Sequence, residues 1–156
     1  MSILYDEGQQ AIATESRRVL EARVHKDELL PLLEVSGKYH EGFWTTAKEQ
    51  GWTALALPEA HGGLALGLVE LGLIAHQAGR TLSGAPFLTS SFGAAKAIEL
   101  FGTGAQRERW LPALASGDAI GAIAFASGAD PLPANPGVTL NQDRLSGSAG
   151  GVSGGL

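Results

Sequence analysis

Residues 51–63 read GWTALALPEAHGG. An apolar run meets Pro58, a short polar step follows, and Gly62 and Gly63 close the stretch. The apolar spacing is too irregular for one amphipathic helix, and Pro-Glu-Ala-His is too polar for a buried strand. Its flanks say what it must connect.

Upstream, Asp6 is an N-cap with Gln9 in the capping-box place, and Ile12, Val19, Leu20 and Val24 follow at helical spacing. Glu15, Arg17, Arg18, Glu21 and Arg23 cover the other faces, and the pattern predicts a helix ending near Pro31. A polar connector is expected over residues 31–41, then a short helix around FWTTAKEQ, closed by Gly51 at C′. Downstream, LALGLVELGLIAHQAGR is apolar almost throughout and reads as a buried helix. PFLTSSFGAAKAIELFG reads as a second, starting with Pro86 at N1. Thr103 with Gln106 forms another capping box, and Pro112 is expected to kink or shorten the helix it opens. The corner therefore lies between helices. Trp52, Leu55, Leu57, Leu71, Ile74, Ile98 and Leu114 are the expected core.

The character changes at Gly117-Asp118. AIGAIAFAS (119–127) reads as a buried strand, and VTL and RLSGS flank Asn141-Gln142-Asp143 as two strands joined by a turn. Two or three strands with a free edge do not make a stable sheet alone, so the sheet is expected to be completed by further chain. The fold class is mainly α, with a helical domain over 1–117 and the beginning of a β domain over 118–156.

A chain of 156 residues with 44% hydrophobic and 17% charged residues has the composition of a globular domain. A net charge of −5 argues against a nucleic-acid partner. The absence of cysteine removes disulfide and thiolate chemistry. The start, MSILYDEGQQ, has no basic region followed by an apolar one, so no secretory signal is expected. No apolar run is long enough for a spanning helix, and the expectation is a cytoplasmic chain with no membrane partner.

The candidate chemistry is sparse. His25, His40, His61 and His76 show no metal-ligand spacing, and none is assigned to a metal. His25 reads as a solvated face, His40 and His61 as loop residues, and His76 as a core histidine. SGSAGGVSGG lacks the Gly-Lys-Ser/Thr and the strand-then-helix frame of a phosphate loop. Ser127 and Asp130 have no histidine beside them for a triad. RERW (107–110) reads as a solvated face with one buried tryptophan. Glu59 could act as a base, but a carboxylate beside Pro58 more often ties backbone amides. No catalytic residue is assigned.

The segments do resemble a known family. GW-x-x-LALPEAHGGL is similar to the helical N-terminal domain of the acyl-CoA dehydrogenases, where a Pro-Glu-x-x-Gly-Gly corner joins two helices. GLVELGLIAHQAGR looks like that family's central helix. PFLTSSFGAAKAIELFGTGAQRERWLPALASGD resembles its following helix pair, and the GTGAQRERWLPALASGD part is the most specific. AIGAIAFAS resembles the first strand of its middle domain, and RLSGS a later hairpin, with Ser146 where asparagine is usual.

The resemblance implies a helical domain, a β domain and a C-terminal four-helix domain, acting on an acyl-CoA thioester. A carboxylate takes the α proton and FAD receives the β hydride. Hydrogen bonds polarise the thioester carbonyl, and desolvation raises the pKa of the base. It implies Leu88, Ser91 and Ala95 as substrate-binding residues on the helix from Pro86. It places Phe125, Ala126 and Ser127 at the flavin edge. The family's Thr-Glu-Pro is here Ala126-Ser127-Gly128, its Gly-Ser-Asp element has no clear match, and its catalytic glutamate falls beyond residue 156. Two versions follow: part of an active enzyme working in β-oxidation as an oligomer, or a non-catalytic subunit of a heteromeric dehydrogenase whose partner supplies the site. A small helical interaction module is the reading from a different class. The chain alone is expected to hold no FAD and to be inactive.

Overall fold

The computed structural model describes residues 5–35, 37–83, 86–124, 137–150 and 152–154. It is mainly helical, ending in an antiparallel hairpin. Helix α1 (Glu7–Arg23) opens on the expected capping box: the Asp6 carboxylate accepts from the Gln9 N–H at 2.8 Å, and the Gln9 side chain accepts from the Asp6 N–H at 3.3 Å. The helix does not run on to Pro31. It stops at Val24, whose extended backbone (φ −114°) turns the side chain into the core. The chain re-enters as a single turn, α2 (Lys26–Leu29), followed by a 3-10 helix (Leu30–Glu34) where a polar connector was expected. Pro31 lies in the first turn of that 3-10 helix, where its missing N–H costs nothing.

Helix α3 (Glu41–Glu49) is capped by His40, and Gly51 follows in the left-handed conformation (φ 69°). The corner comes next. A 3-10 turn (Trp52–Ala54) leads through Leu57 and Pro58 into a second (Glu59–His61), and the chain then folds back on itself. The N–H groups of Leu64, Ala65 and Leu66 donate to the carbonyls of Ala54, Leu57 and Leu55 at 2.8–3.0 Å. A Cβ on Gly63 would collide with the Leu57 carbonyl, which is why glycine stands there. Backbone bonds close the corner: the N–H groups of His61 and Gly63 both donate to the Pro58 carbonyl. The exposed Glu59 ties no amide with its carboxylate among the described residues, so that expectation is corrected.

Helix α4 (Leu68–Arg80) begins later than its apolar sequence suggests and buries one face, with Leu71, Leu73, Ile74 and Ala78 inside. His76 lies on the other face and is exposed, not a core histidine. From residue 87 a second helix runs through a π turn (Thr89–Ala94) into α5 (Ala95–Phe101). Helix α6 (Gly104–Ala115) has the Thr103–Gln106 capping box and passes through Pro112 without ending. Pro112 is on the wet face, so the helical acceptor it leaves free can take water. Trp110 is 41% exposed, not buried, and Arg109 stacks over its ring at 4.6 Å.

Two hydrophobic clusters hold the helices together. The larger joins Leu20 of α1, Phe43 and Trp44 of α3, Leu71 and Ile74 of α4, and Phe87. The smaller joins Ala95 of α5 to Leu111 and Leu114 of α6. All the expected core residues are buried except Ile98, which is partly buried against the second cluster. Helix α3 and the corner after it are tied to the end of α6 by polar bonds: Trp44 Nε1 donates to the Gly117 carbonyl at 2.9 Å, Thr53 Oγ1 to the Ala115 carbonyl at 2.7 Å, and Lys48 Nζ meets Asp118 at 2.6 Å.

The buried strand expected over 119–127 is not found in its described part. Residues 119–124 are in no strand and only partly covered, because among the described residues no sheet neighbour pairs with them. Strands β1 (Val138–Asn141) and β2 (Arg144–Gly147) do form the expected hairpin, with Asn141 opposite Arg144. Gln142 and Asp143 turn it with φ of 46° and 63°, as a two-residue type I′ loop requires.

Leu71→Ala removes a side chain that is 2% exposed, and the expected loss is about 2–5 kcal/mol in denaturant unfolding. A loss well under 1 kcal/mol would contradict the burial of α4. Gly63→Ala is expected to cost about 1–3 kcal/mol or more through the Leu57 clash, whereas Gly72→Ala, where a Cβ meets nothing, should not destabilise. The pair is compared by the same unfolding curves.

Lowered carboxylates set an acid dependence: the Arg18 side chain lowers Glu15 on α1, and two more link distant parts of the chain. Lys48, then Ser116, hold Asp118 below the usual carboxylate range, and the Gln9 side chain does most to lower Glu70. A depressed carboxylate contributes stability that is present above its unfolded pKa and lost as pH falls through its folded one. Thermal stability should therefore decline as pH drops below roughly 4. The Gln9→Ala, Asp118→Asn double variant should show a shallower decline. Parallel melting-temperature profiles for the two proteins would refute the assignment.

Candidate functional site

The π turn is the irregular feature among these helices. Thr89, Ser90, Ser91 and Gly93 are all weak helix formers, placed together in an otherwise alanine-rich helix. The wider turn leaves backbone groups out of step, and such turns occur often at functional sites. Here Thr89 Oγ1 donates to the Pro86 carbonyl at 2.8 Å. Ser90 Oγ accepts from the N–H of Gly121 at 3.1 Å, which draws residues 119–124 across the turn. The approach is close. A Cβ on Gly121 would strike that of Ala94, and one on Gly93 would sit 3.4 Å from Ile123 Cδ1.

The three substrate-binding expectations fall in different surroundings. Leu88 is 50% exposed and, with Phe92 one turn on, forms an apolar face. Ser91 is buried, and its hydroxyl meets no partner among the described residues. Ala95 is fully buried and packs with Leu57, Leu111 and Leu114. Leu88 and Ser91 thus belong to the π-turn region, while Ala95 is in contact with the second core. Phe125, Ala126 and Ser127 lie outside the described residues.

This region can hold an apolar group against Leu88 and Phe92, with the Ser91 hydroxyl buried beneath them. It holds no acid or base: the nearest charges along the helix, Lys96 and Glu99, are paired with each other at 2.7 Å. Among the described residues no group of three His, Asp or Glu side chains could bind a metal, and no helix is long and apolar enough to cross a membrane. Beside the turn the Gly121 N–H, a donor of the kind a flavin edge would need, is spent on Ser90.

One functional-looking residue escaped the sequence reading. His40, read as a loop histidine, is 5% exposed and caps α3: Nδ1 accepts from the Phe43 N–H at 2.8 Å, and Nε2 lies 2.8 Å from Glu28. The acceptor role of Nδ1 places the proton on Nε2, facing the carboxylate. Glu41 directly after it was the available signal, an acid in a helix's first turn.

The family profile "Acyl-CoA dehydrogenase, N-terminal domain" matches residues 6–118. No curated protein matches the chain in sequence. Among solved structures, the ChsE4–ChsE5 complex from Mycobacterium tuberculosis superposes with a TM-score of 0.83 at 22% identity, covering 97% of this chain and 42% of that one. A variant of the Tcur3481–Tcur3483 steroid ACAD gives 0.79 at 27% identity, covering 94% and 41%. An acyl-CoA dehydrogenase complexed with FAD from Bacillus anthracis gives 0.75 at 25% identity, covering 94% and 26%. The chain spans less than half the length of each of these structures. With the profile running from the cap of α1 to the end of α6, the chain belongs to the acyl-CoA dehydrogenase family and carries its N-terminal domain.

Proposed function

We propose that this chain forms the acyl-facing helical wall of an acyl-CoA dehydrogenase that oxidises the α–β bond of an acyl-CoA thioester. The observation that carries the reading is the family match over 6–118, with the π turn inside it presenting Leu88 and Phe92 over a buried, unpartnered Ser91 hydroxyl. In this reading the chain excludes water from an apolar acyl group and orients it, and the base comes from elsewhere in the assembly. Ala95 supports the wall from behind. FAD is the cofactor of the assembled enzyme and supplies the hydride acceptor; the Bacillus anthracis neighbour, named as complexed with FAD, supports this. The boundary proposed between a helical domain (1–117) and a β domain (118–156) falls at the Lys48–Asp118 pair. A cytoplasmic setting and a part in fatty acyl breakdown are of a piece with this reading.

A heteromeric assembly is the second reading. It is favoured by the likeness to the ChsE4–ChsE5 complex and by Ala126-Ser127-Gly128 where the family has Thr-Glu-Pro. There, this chain is the structural partner and the flavin lies mainly on the other subunit.

The exposure of Leu88 makes a clean test, because Leu88→Asp disturbs no core. In the complete assembly it should lower kcat/KM for acyl-CoA by about tenfold or more, the value of one buried leucine contact, with the melting temperature unchanged. Unchanged kinetics would remove the π turn from the acyl site. Purified alone, the chain should show no flavin absorption in the visible. Near-stoichiometric flavin bands would overturn the placing of that cofactor elsewhere.

A further inference from the structure

At the far end of α4 from the corner, its last turn faces α2 and the 3-10 helix after it across a cleft of about 420 Å3, within the range of small-molecule sites. Leu29, Leu30, Leu32, Tyr39 and Leu82 give it apolar walls. Its charged lining is cationic, Lys38 and Arg80, with no carboxylate, in a chain whose net charge is −5. Neither cation meets an acid among the described residues. Glu21, across an adjoining cleft from Arg80, is engaged by Arg17 at 2.7 Å; Lys38 shares a second adjoining cleft with Glu41 and with Glu28, which is turned to His40.

The backbone is unusual at the same place. Leu82 has φ 55°, a conformation that costs a non-glycine residue energy, and its side chain is 84% exposed at the cleft. The hydroxyls beside it are already used: Thr81 Oγ1 donates to the Ala78 carbonyl, so Ser83 Oγ is the donor in the 2.8 Å bond between the two. Two of the carbonyls at the negative end of α4 are engaged, because the N–H groups of Thr81 and Ser83 both donate to the Ala78 carbonyl and that of Leu82 to Gly79. The free chemistry of the cleft is thus apolar wall and positive charge.

We infer that this cleft binds an amphiphilic carboxylate, its apolar body between Leu30 and Leu82 and its carboxylate between Lys38 and Arg80. The site is separate from the π-turn region and does not depend on the dehydrogenase reading. Titration of the full chain with decanoate and with 1-decanol, followed by calorimetry, tests it. Decanoate should bind saturably, more weakly as salt rises, and roughly tenfold or more tighter than the alcohol, as charge-assisted hydrogen bonds require. Arg80→Ala and Lys38→Ala should each weaken it by roughly tenfold with unchanged far-UV circular dichroism, while Leu88→Asp should leave it unaltered. The inference fails if folded protein gives no saturable binding, if the alcohol binds equally well, or if Leu88→Asp abolishes binding and Arg80→Ala does not. It fails too if the cleft is closed by a second copy, seen as a dimer that Arg80→Ala dissociates.

Discussion

The packing of this helical body depends on six residues that are themselves hardly helical. Between Trp52 and Leu57 the chain turns tightly enough to send side chains two ways. Trp52, Leu55 and Ala56 enter the cluster of α1, α3 and α4, while Ala54 and Leu57 enter that of α5 and α6. A regular helix shows one apolar stripe and could not serve both. The carbonyls of Ala54, Leu55 and Leu57 are satisfied by the returning chain at residues 64–66, and the Thr53 hydroxyl by the Ala115 carbonyl, so burial leaves those groups paired. Pro58 and Gly63 follow from this: one stiffens the exit, the other lets the return pass close by.

The π turn is held against the same centre from the other side. Ser90 grips Gly121 and Ala94 lies under it, so the chain leaving α6 crosses over the turn rather than running into solvent. The direction in which a β domain would depart is thereby tied to the surface proposed to meet the acyl group. Any displacement of the 119–124 segment would be felt at Ser91, one residue from the grip.

Features written in local chemistry were readable from the sequence. The two capping boxes, Gly51 and the presence of a hairpin around Asn141-Gln142-Asp143 each need only residues a few positions apart; that Asn141 belongs to the strand and the loop is only Gln142-Asp143 came from the structure. What depended on distant packing was not. The end of α1 is decided by the core's demand for Val24, and the exposure of His76 and Trp110 by which face finds a neighbour. Periodicity cannot tell a strand from an apolar segment lying on a helix, hence the misreading of 119–124. The π turn had a signal, three hydroxyl residues in a row, but propensity alone does not say that a helix will widen rather than end. The cleft at Arg80 unites residues from three elements, and its lack of carboxylates appears only once they are assembled.

The bond from Trp44 to the Gly117 carbonyl joins residues 73 positions apart. Closing so long a loop is entropically costly, and an enclosed indole N–H without its acceptor carries a desolvation penalty. The buried polar edge of α3 is therefore satisfied only when the chain leaving α6 is docked beside it. It also gives the molecule a built-in optical reporter. Trp44 and Trp52 are both enclosed in the finished state, so their emission should follow completion of the helical body, whereas the half-exposed Trp110 stays near water throughout.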